Sequence, residues 1–164
     1  MTEAPATIRS AISQDADGIA RIFIESAEYH ARLDPDRYSV PAMDAISARY
    51  REARRHPPGL VGAAVTLVAE LSGEIVGFID VRLQQSPDPM HRKMTYCYVV
   101  EIAVSQRHQN QGIGRQLLRA AEDWGRQQGA TLASLEYLAT NTRASMFYQN
   151  MGYHPAAITT IKRL

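Results

Sequence analysis

Apolar and polar positions along the chain change period several times, and each change marks an element. Thr7-Ile8-Arg9 alternates as a short strand. Ser13 or Asp15 then stands where a helix cap belongs, and Ile19, Ile22, Phe23 and Ala27 follow at helical spacing. Met43, Ile46, Tyr50 and Ala53 share one face of a second helix expected over residues 41–56, which Pro57-Pro58-Gly59 would stop. Residues 65–71 and 75–83 are rich in β-branched side chains, and Ser72-Gly73 between them reads as a hairpin turn. Residues 95–104 form another strand pattern, with Tyr96, Tyr98, Val99, Val100, Ile102 and Val104. Past a polar, glycine-bearing stretch, Ile113, Leu117, Ala121 and Trp124 make a helical stripe with Leu118 beside it, and Gly129 suits the position beyond its end. A strand over residues 131–138, a short helix over 143–151 ended by Gly152, and a last strand over 158–161 complete the pattern.

The order is thus strand, two helices, a β-meander, helix, strand, helix, strand. It predicts a mixed sheet with helices on both faces, in which the unit over residues 95–138 is parallel and right-handed. The chain has 164 residues, which favours one domain over residues 1–164 with a real core. Neither a repeat nor a convincing linker interrupts it, and the polar stretch from Gln84 to Lys93 reads as a loop.

Charge and cysteine usage narrow the classes. Eighteen Lys and Arg against 17 Asp and Glu leave a formal net charge of +1, so no net field draws the chain to nucleic acid or to an anionic membrane. A single cysteine, Cys97, excludes an internal disulfide framework and a multi-cysteine metal site. The start, MTEAPATIRS, lacks a signal pattern, and no apolar run approaches the ~20 residues of a membrane span, so the default expectation is a reducing, cytoplasmic setting.

Candidate chemistry concentrates in Gln109-Asn110-Gln111-Gly112-Ile113-Gly114-Arg115, between an apolar strand and an amphipathic helix. The first turn of a helix has unpaired N–H groups and a positive dipole end, and glycines let an anion approach the backbone. Arg115-Gln116 replaces the Lys-Ser/Thr of a P-loop, and Leu117 replaces the third glycine of a dinucleotide fingerprint. The short motif alone leaves two readings open, a phosphate site or two glycines for tight packing.

Context separates them. Glu101-Ile102-Ala103-Val104, followed after a short gap by Gly112-Ile113-Gly114-Arg115-Gln116-Leu117-Leu118, closely resembles the core of the GNAT N-acetyltransferase superfamily. Residues 109–114 match its acyl-CoA signature, Gln/Arg-x-x-Gly-x-Gly/Ala. Asn141-Thr142-Arg143-Ala144-Ser145-Met146-Phe147-Tyr148, running on to Gly152-Tyr153, is similar to the family's Asn-x-x-Ala…Tyr…Gly-Phe/Tyr segment. The resemblance covers the chain in element order and is specific over residues 99–153.

The resemblance implies an α/β (α+β) fold: a mixed, mostly antiparallel central sheet of about six or seven strands, splayed after the fourth, with helices on both faces. It implies acetyl-CoA as cosubstrate, no metal, and transfer of an acetyl group to a primary amine by direct attack in a ternary complex. Backbone groups of Ile102, Ala103 and Val104 would pair with the pantetheine arm, and N–H groups from Gln109 to Arg115 would hold the diphosphate. Asn141 would hydrogen-bond the pantetheine, and the N–H of Val104 or its neighbour would serve the oxyanion. Tyr148 would stand near the sulfur. A phenol is protonated at neutral pH and can donate to a leaving thiolate, so Tyr148 is the candidate general acid, or else only positions the thioester.

Glu101 is the candidate general base. Strict alternation would set it on one face with Cys97, Val99 and Ala103, where partial burial would raise its pKa; otherwise it binds the substrate cation without moving protons. Tyr29 and His30 open a polar, aromatic segment through Tyr38, including Asp34 and Asp36, suited to an acceptor wall or to an ordinary helix end. Arg49, Arg51, Arg54, Arg55 and His56 read as a solvated helix face, with attraction of an anionic ligand as the alternative. His91, His108 and His154 lack metal-ligand spacing, Cys97 packs in its strand, and Trp124 belongs to the core. The expected acceptor is a small-molecule amine. A protein N-terminus or lysine, or acyl-CoA sensing without catalysis, are the alternatives, and the strand over 158–161 could pair across a homodimer.

Overall fold

The computed structural model describes residues 6–52, 62–86 and 89–163. Five strands form one sheet in chain order: β1 (Thr7–Ser10), β2 (Ala64–Leu71), β3 (Glu74–Gln85), β4 (Thr95–Val104) and β5 (Leu132–Leu135). The first three pairings are antiparallel, and β4 with β5 is parallel. Four helices cover the sheet: α1 (Ala16–Leu33), α2 (Met43–Glu52), α3 (Ile113–Gln127) and α4 (Thr142–Asn150).

The two faces have separate cores. Ile19, Ile22 and Ala20 of α1 and Ile46 and Tyr50 of α2 bury against Val68, Ile75 and Phe78 on one face. Leu117, Leu118 and Ala121 of α3 bury against Ile79, Val81, Cys97 and Val99 on the other, with Tyr148 of α4 joining them. The closest approach is at Gly125 of α3, where an added Cβ would lie 2.5 Å from the Cβ of Cys97. Cys97 thus packs as expected, and burial pushes its thiol up to about 11. In the β2–β3 hairpin Ser72 (φ 51°) and Gly73 (φ 83°) are both left-handed, the I′ pattern whose twist matches the flanking strands.

Several expectations change. Among the described residues the sheet has five strands where about six or seven were expected, because residues 158–161 are exposed and form no strand. The strand that could have paired across a homodimer is therefore absent from the described residues. β5 is shorter than residues 131–138, ending at Leu135 opposite Val99. α2 begins at Met43; Ala53, Arg54, Arg55, His56 and Pro57-Pro58-Gly59 lie outside the described residues. Asp15 precedes α1 without capping it, its carboxylate accepting instead from Arg9 Nη1 (2.7 Å) and the Ile12 N–H (2.7 Å).

The largest correction concerns β4. Val81 pairs with Val99 but Asp80 pairs with Glu101, so Val100 is an extra residue with no partner on β3. This bulge shifts the parity of every later side chain. Cys97 and Val99 lie on the α3 face, and so do Ile102 and Val104. Ala103 faces the α1 core, and Glu101 meets Ser26 of α1. Strict alternation fails at one position and places Glu101 opposite to where it predicts.

Candidate active site

β5 stops opposite Val99, while β4 continues to Val104. The sheet opens there, after its fourth strand, and the unpaired edge of β4 forms the floor of a cleft of about 890 Å³. One wall is α1, through Glu25, Ser26, Tyr29, His30 and Arg32. The other is the start of α3 and one side of α4, including Asn141, Phe147 and Tyr148.

The glycine loop closes one end. Gly112 is left-handed (φ 82°), and nothing lies within 4 Å of where its Cβ would project. The N–H groups of Ile113, Gly114 and Arg115 have no backbone acceptor among the described residues, as expected of a first helical turn. Arg115 lines the same end, and the buried Nδ1 of His108 has no hydrogen-bond partner among the described residues. Free amides, an open glycine, a guanidinium and an orphaned ring nitrogen together fit a diphosphate. Gln109, Asn110, Gly112, Ile113, Gly114 and Arg115 all line the cleft; Gln111 does not, and its amide donates to the Arg107 carbonyl (3.4 Å).

Gln109 does something its motif position does not disclose. Its amide nitrogen donates to the Val104 carbonyl (3.0 Å), and its amide oxygen accepts from Arg143 Nη1 (2.8 Å). It ties the open end of β4 to α4 across the split. Ile102, Ala103 and Val104 line the floor.

Asn141 caps α4, its Oδ1 accepting from the Ala144 N–H (3.0 Å). The Tyr29 hydroxyl reaches the same oxygen from the opposite wall (3.4 Å). With Oδ1 so occupied, the amide NH2 of Asn141 is the group left for a ligand.

Tyr148 is buried among aromatic rings, with Phe147 at 5.2 Å, Tyr137 at 5.5 Å and Tyr153 at 5.9 Å between centroids. Burial, and then the charge of Glu101, push its phenol up to about 12, so it stays protonated at neutral pH. Its hydroxyl has no hydrogen-bond partner among the described residues and faces the cleft.

Glu101 lies beneath the cleft and does not line it. Burial raises its pKa, which His30 and the Ser26 hydroxyl partly offset and Asp80 reinforces. Asp80, directly across on β3, is also raised by burial and accepts from Tyr50 Oη (2.7 Å) and from Thr66. Ser26 is a residue that sequence reasoning missed. It stands 75 positions from Glu101, so no local pattern could have paired them. Asp34 is tied to Arg37 (2.5 Å), Asp36 to Arg163 (2.7 Å), and Arg51 to Asp17 (2.6 Å), so these groups are engaged away from the cleft.

The family model for the acetyltransferase (GNAT) family matches residues 18–153, which spans both walls and the loop. The chain belongs to the GNAT acetyltransferase family. It is 29% identical over 147 residues to the N-acetyltransferase YhfO of Bacillus subtilis, covering 89% of this chain and 88% of that one. Its fold is similar to that of a mutant BH1408 protein of Bacillus halodurans, with a TM-score of 0.86, 22% identity, and 96% and 99% of the two chains covered. It is also similar to AAC(6')-Iy in complex with a CoA-linked acetylneamine analogue, with a TM-score of 0.69, 19% identity, and 98% and 100% covered. Among the described residues of this acetyltransferase, no helix is long and apolar enough to cross a membrane.

Proposed function

We propose that this acetyltransferase moves an acetyl group from acetyl-CoA to a primary amine of a small molecule, by direct attack within a ternary complex. The observation that carries this reading is the continuity of the cleft. An unpaired strand edge at Ile102–Val104 leads directly into the free amides of Ile113, Gly114 and Arg115. Such an edge can take an extended amide-bearing arm as an added strand, while the amides hold a diphosphate.

The amides of residues 113–115, with Arg115, bind the diphosphate, and Asn141 donates its amide NH2 to the pantetheine arm. Tyr148, protonated and without a protein partner, donates to the sulfur as the C–S bond breaks. A backbone N–H at Val104 serves the developing oxyanion. Tyr29, reaching across to Asn141, narrows the mouth on the α1 side, which supports a small amine over a protein segment. The similarity to AAC(6')-Iy, whose bound analogue joins CoA to an aminoglycoside amine, supports the same class.

A thiol-release assay with acetyl-CoA against amines, polyamines, aminoglycosides, amino acids and peptides tests the proposal. Amine-dependent release with at least one small amine is the expected result. Release with peptides only would move the acceptor to protein, and no release with any amine would reduce the chain to acyl-CoA binding.

A further inference from the structure

We propose that His30 takes the proton from the acceptor ammonium, with Glu101 behind it steadying the resulting imidazolium. The inference rests on the amine-transfer reading above and assigns its base.

The two candidates occupy different places. Glu101 is not on the cleft wall, whereas His30 is. His30 Nδ1 lies 2.8 Å from the carbonyl oxygen of Ser26, one helical turn earlier. A carbonyl can only accept, so Nδ1 carries the hydrogen. In the neutral ring Nε2 then holds the lone pair, which is the tautomer a base needs. Tyr38 (5.5 Å between ring centroids) and Tyr29 (6.1 Å) pack against the ring.

Ser26 joins this ring to the buried acid. Its carbonyl takes the Nδ1 hydrogen, and its hydroxyl donates to Glu101 Oε1 (3.3 Å). His30 is near enough for its charge to act on Glu101, so the carboxylate acts equally on the imidazolium. Titratable and charged groups near His30 include Glu25, Tyr29 and Arg32 on the same α1 wall, Asp34 (paired with Arg37) and Tyr38 after it, and Glu101 on β4. Behind Glu101 are Asp80 on β3 and Arg49 on α2. Glu101 is the carboxylate whose charge bears on His30 and which Ser26 joins to it, whereas Asp80 is held behind it by Tyr50 and Thr66.

The step balances as follows. One N–H bond of the ammonium breaks and its proton passes to Nε2. The freed amine forms the C–N bond to the acetyl carbon while the C–S bond breaks. The thiolate takes a proton from Tyr148, and the second proton lost by nitrogen restores the phenol. The proton on His30 returns to water. An imidazole is intrinsically a stronger base than a carboxylate and so suits the proton of an ammonium better.

The experiment uses the full chain and an amine found active in the release assay. The pH profile of kcat reports groups in the bound complex. His30→Gln should lower kcat about 100-fold and remove the acidic limb. Glu101→Gln should keep that limb but move it to lower pH, because the imidazolium loses its counter-charge. Coenzyme A affinity by calorimetry should be unchanged in both, showing that the variants are folded. An acidic limb kept in His30→Gln and lost in Glu101→Gln would overturn the proposal and make Glu101 the base. An NMR titration of the His30 ring in the intact chain gives a second readout. Its midpoint should fall in Glu101→Gln, and an unmoved midpoint would sink the coupling. A wild-type chain that acetylates no amine would instead defeat the transfer reading itself.

Discussion

The two walls of the cleft are built on different principles. The wall formed by the glycine loop, α3 and α4 holds the free backbone amides beside Arg115, Asn141 and Tyr148, all drawn from one continuous stretch of the chain. The α1 wall presents side chains and depends on contacts such as Ser26 to Glu101, 75 residues apart. The first, on the proposed reading, holds the cosubstrate and follows from local conformation: a left-handed glycine, a helix start and an Asn cap. The second, on the proposed reading, meets the acceptor amine, and it exists only once α1 is laid on the sheet. A change in the glycine loop should therefore abolish cosubstrate binding, whereas a change on the α1 wall should alter chemistry or acceptor choice and leave cosubstrate affinity intact.

The sharpest break is Gly112→Glu. The side chain would project into the open front of the loop, at a φ of 82° that L residues avoid, and would set a carboxylate beside a diphosphate. Coenzyme A affinity should fall by roughly 100-fold or more in a calorimetric titration. Normal affinity would remove the loop from the binding site.

Tyr148→Phe comes next. The ring is packed by Tyr137, Phe147 and Tyr153, so the fold should hold. Turnover should drop by about 10-fold or more with coenzyme A affinity unchanged. Equal turnover would reduce Tyr148 to a packing residue.

Gly125→Ala tests the scaffold away from both walls. The new methyl would collide with the Cys97 Cβ, and β4 or α3 must shift. A loss of about 1–3 kcal/mol is expected in denaturant unfolding, the scale of overpacking.

The smallest effect concerns the pH dependence of stability. Glu101 has a raised pKa in the folded chain, mainly through burial. The folded state therefore holds this proton more tightly than the unfolded state, and stability falls as pH rises from the ordinary carboxylate range through the raised value. Below that range the group is protonated in both states and contributes no slope. Glu101→Gln should flatten this part of the stability curve and slightly raise Tm at neutral pH. A Tm that falls instead would mean that Ser26 and His30 compensate the buried charge in full.

Legibility in the sequence followed the range of the interaction. The five observed strands, all four helices and the loop were visible as hydrophobic period and turn chemistry, because each is decided within a few residues. Gln109, Gly112, Asn141 and Tyr148 stood out by motif spacing, and all four line the cleft. The role of Gln109 was not, because its partners, Val104 and Arg143, meet only when β4 and α4 come together. The sixth strand expected over residues 158–161 had the apolar pattern of a strand, yet those residues are exposed and pair with no strand of the sheet, and pattern alone does not supply a pairing.

The amino-acid sequence by itself determined that this chain carries a glycine loop before an amphipathic helix and a second matching block with Asn141 and Tyr148. Those features depend on local backbone preference and on residue identity. The tertiary structure decided where Glu101 points. One extra residue at Val100, unpaired on β3, reverses the face of everything that follows it in β4. The bulge turns Glu101 away from α3 and toward Ser26 and His30. A period-two pattern has no memory of such an insertion, since the pairing register is a property of two strands together.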